Sequence, residues 1–180
     1  KIATRRGLQF LERAQRPDGA WIPLWFGNEK APRHENPTYG TAQVVLALQE
    51  LENNGVKHAA GLRSAGCAWL RGAQRADGGW GGAPHTAASL KETALAVAAL
   101  ADDANSRKHV RRGVLWLLDA FDRPARMPAA PIGLYFASLW YSEELYPLVF
   151  GIAALGRARR ALGFNGVCPV QRDPLGPLQA

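Results

Sequence analysis

The sequence has only two cysteines, Cys67 and Cys168, and neither stands in a CxxC or Cys/His spacing. A disulfide framework and a structural zinc site are therefore not expected, and no motif calls for a cofactor or a metal. Long apolar runs are also missing, because Arg, Asp, Gly or Pro interrupts every stretch short of the roughly 18 residues a membrane-spanning helix needs. The first residue is Lys1, not Met, and residues 4–11 already read as helix interior without a capping signal. No apolar leader with a cleavage site opens the chain, so it is expected to be a cytosolic piece of something longer. G-x-S-x-G, a phosphate loop and G-x-G-x-x-G are absent, which leaves hydrolase and nucleotide-binding chemistry without support. His34, His58, His85 and His109 have no spaced partner and read as surface groups.

What is present suits a globular domain: 180 residues, 47% of them apolar. The net charge of +7 is spread over Arg5-Arg6, Arg111-Arg112 and Arg157, Arg159 and Arg160, on separate segments. Such scattering predicts solvated outer faces and no nucleic-acid partner, with attraction to anionic lipid head groups as the alternative use.

Self-similarity decides the architecture. The segment from Phe10 to Trp21, FLERAQRPDGAW, aligns without a gap on WLRGAQRADGGW from Trp69 to Trp80. Gln15 and Gln74, and likewise Trp21 and Trp80, are both 59 residues apart. The shared pattern is aromatic-Leu-x3-Gln-x2-Asp-Gly-x-Trp, carried by Gln15, Asp18, Gly19 and Trp21, then by Gln74, Asp77, Gly78 and Trp80. A degenerate third copy, Trp116-Leu117-Leu118-Asp119-Ala120-Phe121, puts Phe121 where Gln belongs.

A second element alternates with the first: residues 41–48 resemble residues 93–100, with residues 148–155 as a third partner. Apolar positions three or four apart, as in Val110, Val114, Leu117, Leu118 and Phe121, make both kinds helical. The prediction is an all-α fold of about three helical hairpins, an α/α barrel fragment over residues 1–162 followed by an irregular tail at 163–180. The Asp-Gly pairs are expected to end the first helix of each hairpin. Gln and Trp are expected to satisfy groups at a neighbouring helix end and so join one unit to the next.

These residues resemble the QW motif of squalene-hopene and oxidosqualene cyclases, whose fold is built from α/α barrel domains. The resemblance runs from about Thr4 to Leu162 and corresponds to the final portion of those enzymes. DGAWIPLWFGN, an insertion-like EKAPRHENP and then TYGT resemble the family's DGxW-x3-W and YGT. That likeness implies that Trp25 and Tyr39 face the substrate cavity. The segment PIGLYFASLWYSEELYPLVFGIAALGRARR resembles the aromatic-rich C-terminal stretch of bacterial cyclases that closes with ALGR. Phe136-x3-Trp140-Tyr141 lies on the family's Phe-x3-Phe-Tyr, whereas alignment from ALGR places Tyr146 on a cavity tyrosine. The chain departs from the family at Glu143 and Glu144, and at Lys91-Glu92, which stand where a Ser-Gln pair is expected.

The implied reaction is proton-initiated cyclisation of a long isoprenoid such as squalene. Aromatic faces suit that chemistry, because they attract a migrating carbocation without removing its proton, at about 0.5–2 kcal/mol each. The family's initiating DxDD acid is absent here. Asp102-Asp103 and Asp119-x2-Asp122 read as solvated or capping groups, so the acid is expected upstream and the fragment alone is expected to be inactive. The implied partners are the remainder of the cyclase chain and a membrane surface, approached peripherally from the cytoplasmic side. Three rivals share the architecture. A protein prenyltransferase β-like domain would need zinc ligands beside Cys67. A thioester domain would need a Gly-Cys-Gly-Glu-Gln run. A non-catalytic α/α scaffold, or a degenerate cyclase without its acid, needs nothing the chain lacks.

Overall fold

A computed structural model describes residues 2–123, 130–134 and 139–163. Six helices account for most of them: α1 (Ile2–Ala14), α2 (Pro37–Asn53), α3 (Ala59–Ala73), α4 (Leu90–Leu100), α5 (Arg107–Phe121) and α6 (Leu145–Ala161). In chain order they form three hairpins, α1/α2, α3/α4 and α5/α6. The second members pack side by side, α2 on α4 and α4 on α6, while α3 lies on α2 and α5 on α4. The result is an all-α, two-layer array with α2, α4 and α6 inside.

Local chemistry sets the helix ends. Asn36 caps α2, its side chain accepting from the Tyr39 N–H at 3.1 Å, and Pro37 follows at the first helical position. That helix closes with a pair of crossed bonds, Gly55 N–H to Glu52 O at 2.9 Å and Val56 N–H to Leu51 O at 3.0 Å. Gly55, at φ 84, takes the left-handed conformation the crossing needs. Ser89 caps α4, accepting from the Glu92 N–H at 3.2 Å. All of α4 except Ala98 is buried, and its four alanines and threonine let neighbours approach from every side.

The repeated motif forms the same set of bonds twice. The Gln15 Nε2 donates to Gly19 O in its own turn and to Leu62 O in α3 at 3.1 Å; Gln74 Nε2 donates to Gly78 O and to His109 O in α5 at 3.0 Å. Each glutamine thus links its repeat to the next. Its acceptor is a first-turn carbonyl that uses its second lone pair, not an orphan group at a helix end as expected. The helix-end carbonyls are met by the indoles. Trp21 Nε1 donates to Leu11 O at 2.8 Å and Trp80 Nε1 to Leu70 O at 2.7 Å, both in the last turn of the preceding helix. The backbone N–H of each tryptophan reaches a threonine Oγ1 on the inner helix, Thr41 or Thr93, at 3.0 Å.

The Asp-Gly pairs lie just after the helices and shape the turn. Asp18 accepts from Ala20 N–H at 3.2 Å and Asp77 from Gly79 N–H at 3.0 Å, while Gly19 (φ 93) and Gly78 (φ 97) are left-handed. Each tryptophan ring then lies against a glycine of the next outer helix. A Cβ on Gly66 would stand 2.8 Å from Trp21 Cζ3, and one on Gly113 2.8 Å from Trp80 Cζ3. In the degenerate third copy Phe121 replaces the glutamine's polar link with apolar contact, its ring lying on Gly151 of α6.

One element departs from the helical reading. Residues β1 (Ala130–Leu134) and β2 (Leu139–Glu143) pair antiparallel, with Gly133 opposite Trp140 and Ile132 opposite Tyr141. The aromatic-rich stretch is therefore hairpin first and helix only from Leu145. The tail read at 163–180 lies outside the described residues, apart from Gly163.

Candidate functional site

The hairpin positions a cavity. Gly27 N–H donates to Gly133 O at 3.0 Å, so the long loop between α1 and α2 is tied to β1. Beneath this bridge the N-terminal ends of the three inner helices converge on a space of about 90 Å³. Phe26, Gly27 and Gly133 line it from the loop and strand, Tyr39 from α2, Lys91 from α4, and Tyr146 and Phe150 from α6. Phe26 and Tyr39 rings lie 5.5 Å apart, and Tyr146 and Phe150 meet edge to face at 5.3 Å, both arrangements that aromatic quadrupoles favour.

The polar component is an ion pair. Lys91 and Glu92, with side chains 5% and 1% exposed, approach to 3.2 Å. Lys91 Nζ also lies 5.8 Å from the Tyr39 ring centroid. Glu92 Oε1 accepts from Asn36 Nδ2 at 3.0 Å and Oε2 accepts from the Ser89 hydroxyl. One carboxylate therefore joins the cap residues of two inner helices. Burial pushes its pKa up, but Lys91, then Ser89 and Asn36, outweigh burial and hold it below the ordinary carboxylate value. Burial also raises the Tyr39 phenol, against a hydrogen bond with Gln43 and with a small push from Tyr146, so it stays protonated at neutral pH.

Of the residues picked from the sequence, Tyr39 and Tyr146 meet at this cavity. Trp25 does not line it: the ring is 61% exposed in the loop. Trp140 lies across Gly133 and meets the edge of His34, ring centroids 5.2 Å apart, and Tyr141 is 50% exposed on β2. Phe136 is outside the described residues. Gln15, Asp18, Gly19 and Trp21, like Gln74, Asp77, Gly78 and Trp80, form the structural links given above.

Phe26, Lys91 and Phe150 were not among the site residues picked from the sequence. The i, i+4 spacing of Tyr146 and Phe150 places them on one helix face, and a Lys-Glu pair at the head of an otherwise apolar helix was visible. Phe26 had no signal beyond its aromatic neighbour. Asp102 and Asp103 pair with arginines: Arg157 with Asp102, and Arg71 with Asp103 at 2.7 Å. Among the described residues no three His, Cys, Asp or Glu side chains converge to hold a metal, and no helix is long and apolar enough to cross a membrane.

The two-layer array of helical hairpins is similar to the fold of a solved terpene cyclase. Residues 1–160 match the squalene-hopene cyclase C-terminal domain, and the chain belongs to that family. It is 25% identical over 176 residues to lanosterol synthase erg7A of Aspergillus fumigatus, covering 91% of this chain and 22% of that protein. The solved structure of ent-copalyl diphosphate synthase from Streptomyces platensis is similar with a TM-score of 0.61 and 28% identity, covering 89% of this chain and 29% of that one. The chain thus spans less than a third of either relative.

Proposed function

We propose that this chain is the C-terminal part of a cyclase that converts a linear polyprenoid such as squalene to a polycyclic product by proton-initiated carbocation cyclisation. Its contribution is wall and scaffold. The carrying observation is the cavity at the heads of the inner helices, where Phe26, Tyr39, Tyr146 and Phe150 present rings from three separate elements. Such a wall attracts positive charge and excludes water while offering no strong base to end the cascade early. The initiating acid belongs to an upstream segment, so the 180 residues alone are inactive in this reading.

The exposed apolar side chains beside the cavity, among them Leu24, Trp25, Leu145, Val149 and Ile152, support a contact with the remainder of the cyclase. On this reading Trp25 completes the wall from that side. The enzyme works peripherally at the cytoplasmic face of a membrane, because its substrate dissolves in lipid. A second reading, a prenyl diphosphate in place of squalene, is favoured by the solved relative's name and by Lys91 in the cavity.

The test is product analysis by mass spectrometry on the full-length protein with squalene and with geranylgeranyl diphosphate. Cyclised product is expected from one of them. Phe150→Leu and Tyr146→Leu should each lower kcat/KM about 2- to 30-fold, the range that 0.5–2 kcal/mol of lost cation–π stabilisation gives, or shift the product pattern. A wild-type protein that cyclises no polyprenoid refutes the proposal.

A further inference from the structure

The outer helices α1, α3 and α5 share one frame. Gly7, Gly66 and Gly113 each stand three residues before an aromatic-Leu pair, and Ala3, Leu62 and His109 stand seven before it. On α3 and α5 these positions receive the turn of the preceding repeat. Leu62 O and His109 O accept from the glutamine amides, and Gly66 and Gly113 take the tryptophan rings. The aromatic of each pair closes on the same turn: Trp116 lies against Gly79, and Trp69 lines a small pocket with Arg16, Asp18 and Ala20. The position four before the pair adds a grip on α5. There Arg112 donates to Arg75 O at 2.9 Å, to Ala76 O at 2.8 Å and to Gln74 Oε1 at 3.2 Å. At this place α3 has Ala65, whereas α1 has Arg6.

On α1 the same face is bare. Ala3, Arg6, Gly7 and Phe10 follow one another at i, i+3, i+4 and i+7 and so share one side of the helix. All four are exposed, Phe10 by 52%. Nothing lies within 4 Å of where a Gly7 Cβ would stand, whereas the same atom on Gly66 or Gly113 would meet an indole at 2.8 Å. A glycine weakens a helix, and an apolar ring left in water gains nothing. On α3 and α5 the seated turn offsets both costs.

The occupant is not among these 180 residues. Trp21 and Trp80 are already seated, the third copy has Phe121 in place of glutamine, and no other Gln-x2-Asp-Gly-x-Trp occurs. A second copy of the chain therefore has no spare turn to offer. The chain covers only 22% and 29% of its two relatives, which leaves length for further repeats, and in a stacked array each unit meets its neighbour through the same contacts.

We propose that Ala3 O, Arg6, Gly7 and Phe10 form the receptor for the Gln/Trp turn of a further repeat N-terminal to Lys1. The incoming glutamine amide donates to Ala3 O, the indole lies on Gly7, and Phe10 covers the turn. The Arg6 guanidinium donates to the turn's backbone carbonyls, the grip that α5 has and α3 lacks. The inference rests on the repeat and not on the chemistry, so a protein that cyclises nothing leaves it standing.

The test uses the full-length protein. Gly7→Ala reads the face by sign: on an open helix surface alanine raises the urea midpoint, whereas under a seated indole it lowers it. A lower midpoint is expected. Arg6→Ala should lower it too, while Arg5→Ala, one residue off the face, should leave it unchanged. Replacing Phe10 by p-benzoylphenylalanine keeps an aromatic at the contact and, on irradiation, joins it to what it touches. Peptide mass spectrometry should find a segment of the same chain N-terminal to Lys1 that carries a Gln and Gly-x-Trp turn. A higher midpoint for Gly7→Ala overturns the receptor, as does cross-linking to a second molecule, to lipid, to residues 1–180 or to nothing. Equal midpoints for Arg6→Ala and Arg5→Ala overturn the Arg6 grip.

Discussion

Replacing Gly113 by alanine adds one methyl group where the repeat leaves no room for it. The new Cβ would stand 2.8 Å from Trp80 Cζ3 and closer still to Val97 Cγ2, against an optimum of about 3.5–4.0 Å for carbon pairs. Neither neighbour has anywhere to move. Trp80 and Val97 are both fully buried, and the indole is fixed by its 2.7 Å bond to Leu70 O and its backbone bond to Thr93. Overpacking of this kind costs about 1–3 kcal/mol. Against it stands the gain of about 0.8–1 kcal/mol from replacing a helical glycine by alanine. The clash wins over nearly all of that range, with a net loss of up to about 2 kcal/mol. Gly72 is the control, since it lies within α3, is exposed, and has nothing within 4 Å of a new Cβ. There the same substitution should stabilise by about 0.5–1 kcal/mol. Urea unfolding of the full-length protein, followed by tryptophan fluorescence, should move the midpoint down for Gly113→Ala and up for Gly72→Ala at unchanged slope. A Gly113→Ala protein as stable as Gly72→Ala would refute the ring-on-glycine account of how the repeats join.

Gln74→Ala should destabilise by about 1–2 kcal/mol, more than Gln15→Ala. Its amide serves Gly78 O and His109 O and accepts from Arg112 at 3.2 Å, whereas Gln15 makes two bonds; the same urea titration reads the order. Acid should weaken the inner layer through Glu92. Its folded pKa lies below the unfolded value, so its stabilisation is complete above about pH 4.3 and is lost as pH falls through the folded value. Acid unfolding of Glu92→Gln should lack that component; parallel curves for wild type and variant would contradict it. Cys67, buried and with its thiol pushed up to about 11, mainly by burial, should resist iodoacetamide at pH 8 until the protein is unfolded. Rapid alkylation of native Cys67, located by peptide mass spectrometry, would count against that packing.

The repeat was legible because its signals are local. Gln, Asp-Gly and Trp recur at a fixed spacing of 59 residues, and each turn is made by residues a few positions apart. Any chain with those turns and apolar spacings forms paired helices, so the hairpin count and the all-α class followed directly. What the glutamine and the indole bond to was not local. Leu62 O and His109 O lie 47 and 35 residues along the chain. Which carbonyl each side chain meets depends on how one hairpin packs on the next. The strand pair escaped because Ala130–Leu134 and Leu139–Glu143 are five residues each and do not alternate apolar with polar, too little to separate a period of two from the helix that follows.

The cavity was decided by tertiary structure alone. Phe26, Tyr39, Lys91, Tyr146 and Phe150 are scattered over more than half the chain and meet only because three inner helices start at the same end. Composition gave the aromatic richness of residues 135–150, and the resemblance pointed to Tyr39 and Tyr146. Packing left Trp25 and Tyr141 on the exposed face and buried Lys91 among the rings. Local pattern specifies which segments become helices, because hydrogen bonds and turns act over a few residues. Which side chains share a cavity depends on the order in which layers stack, and that is a property of contacts between segments far apart in sequence.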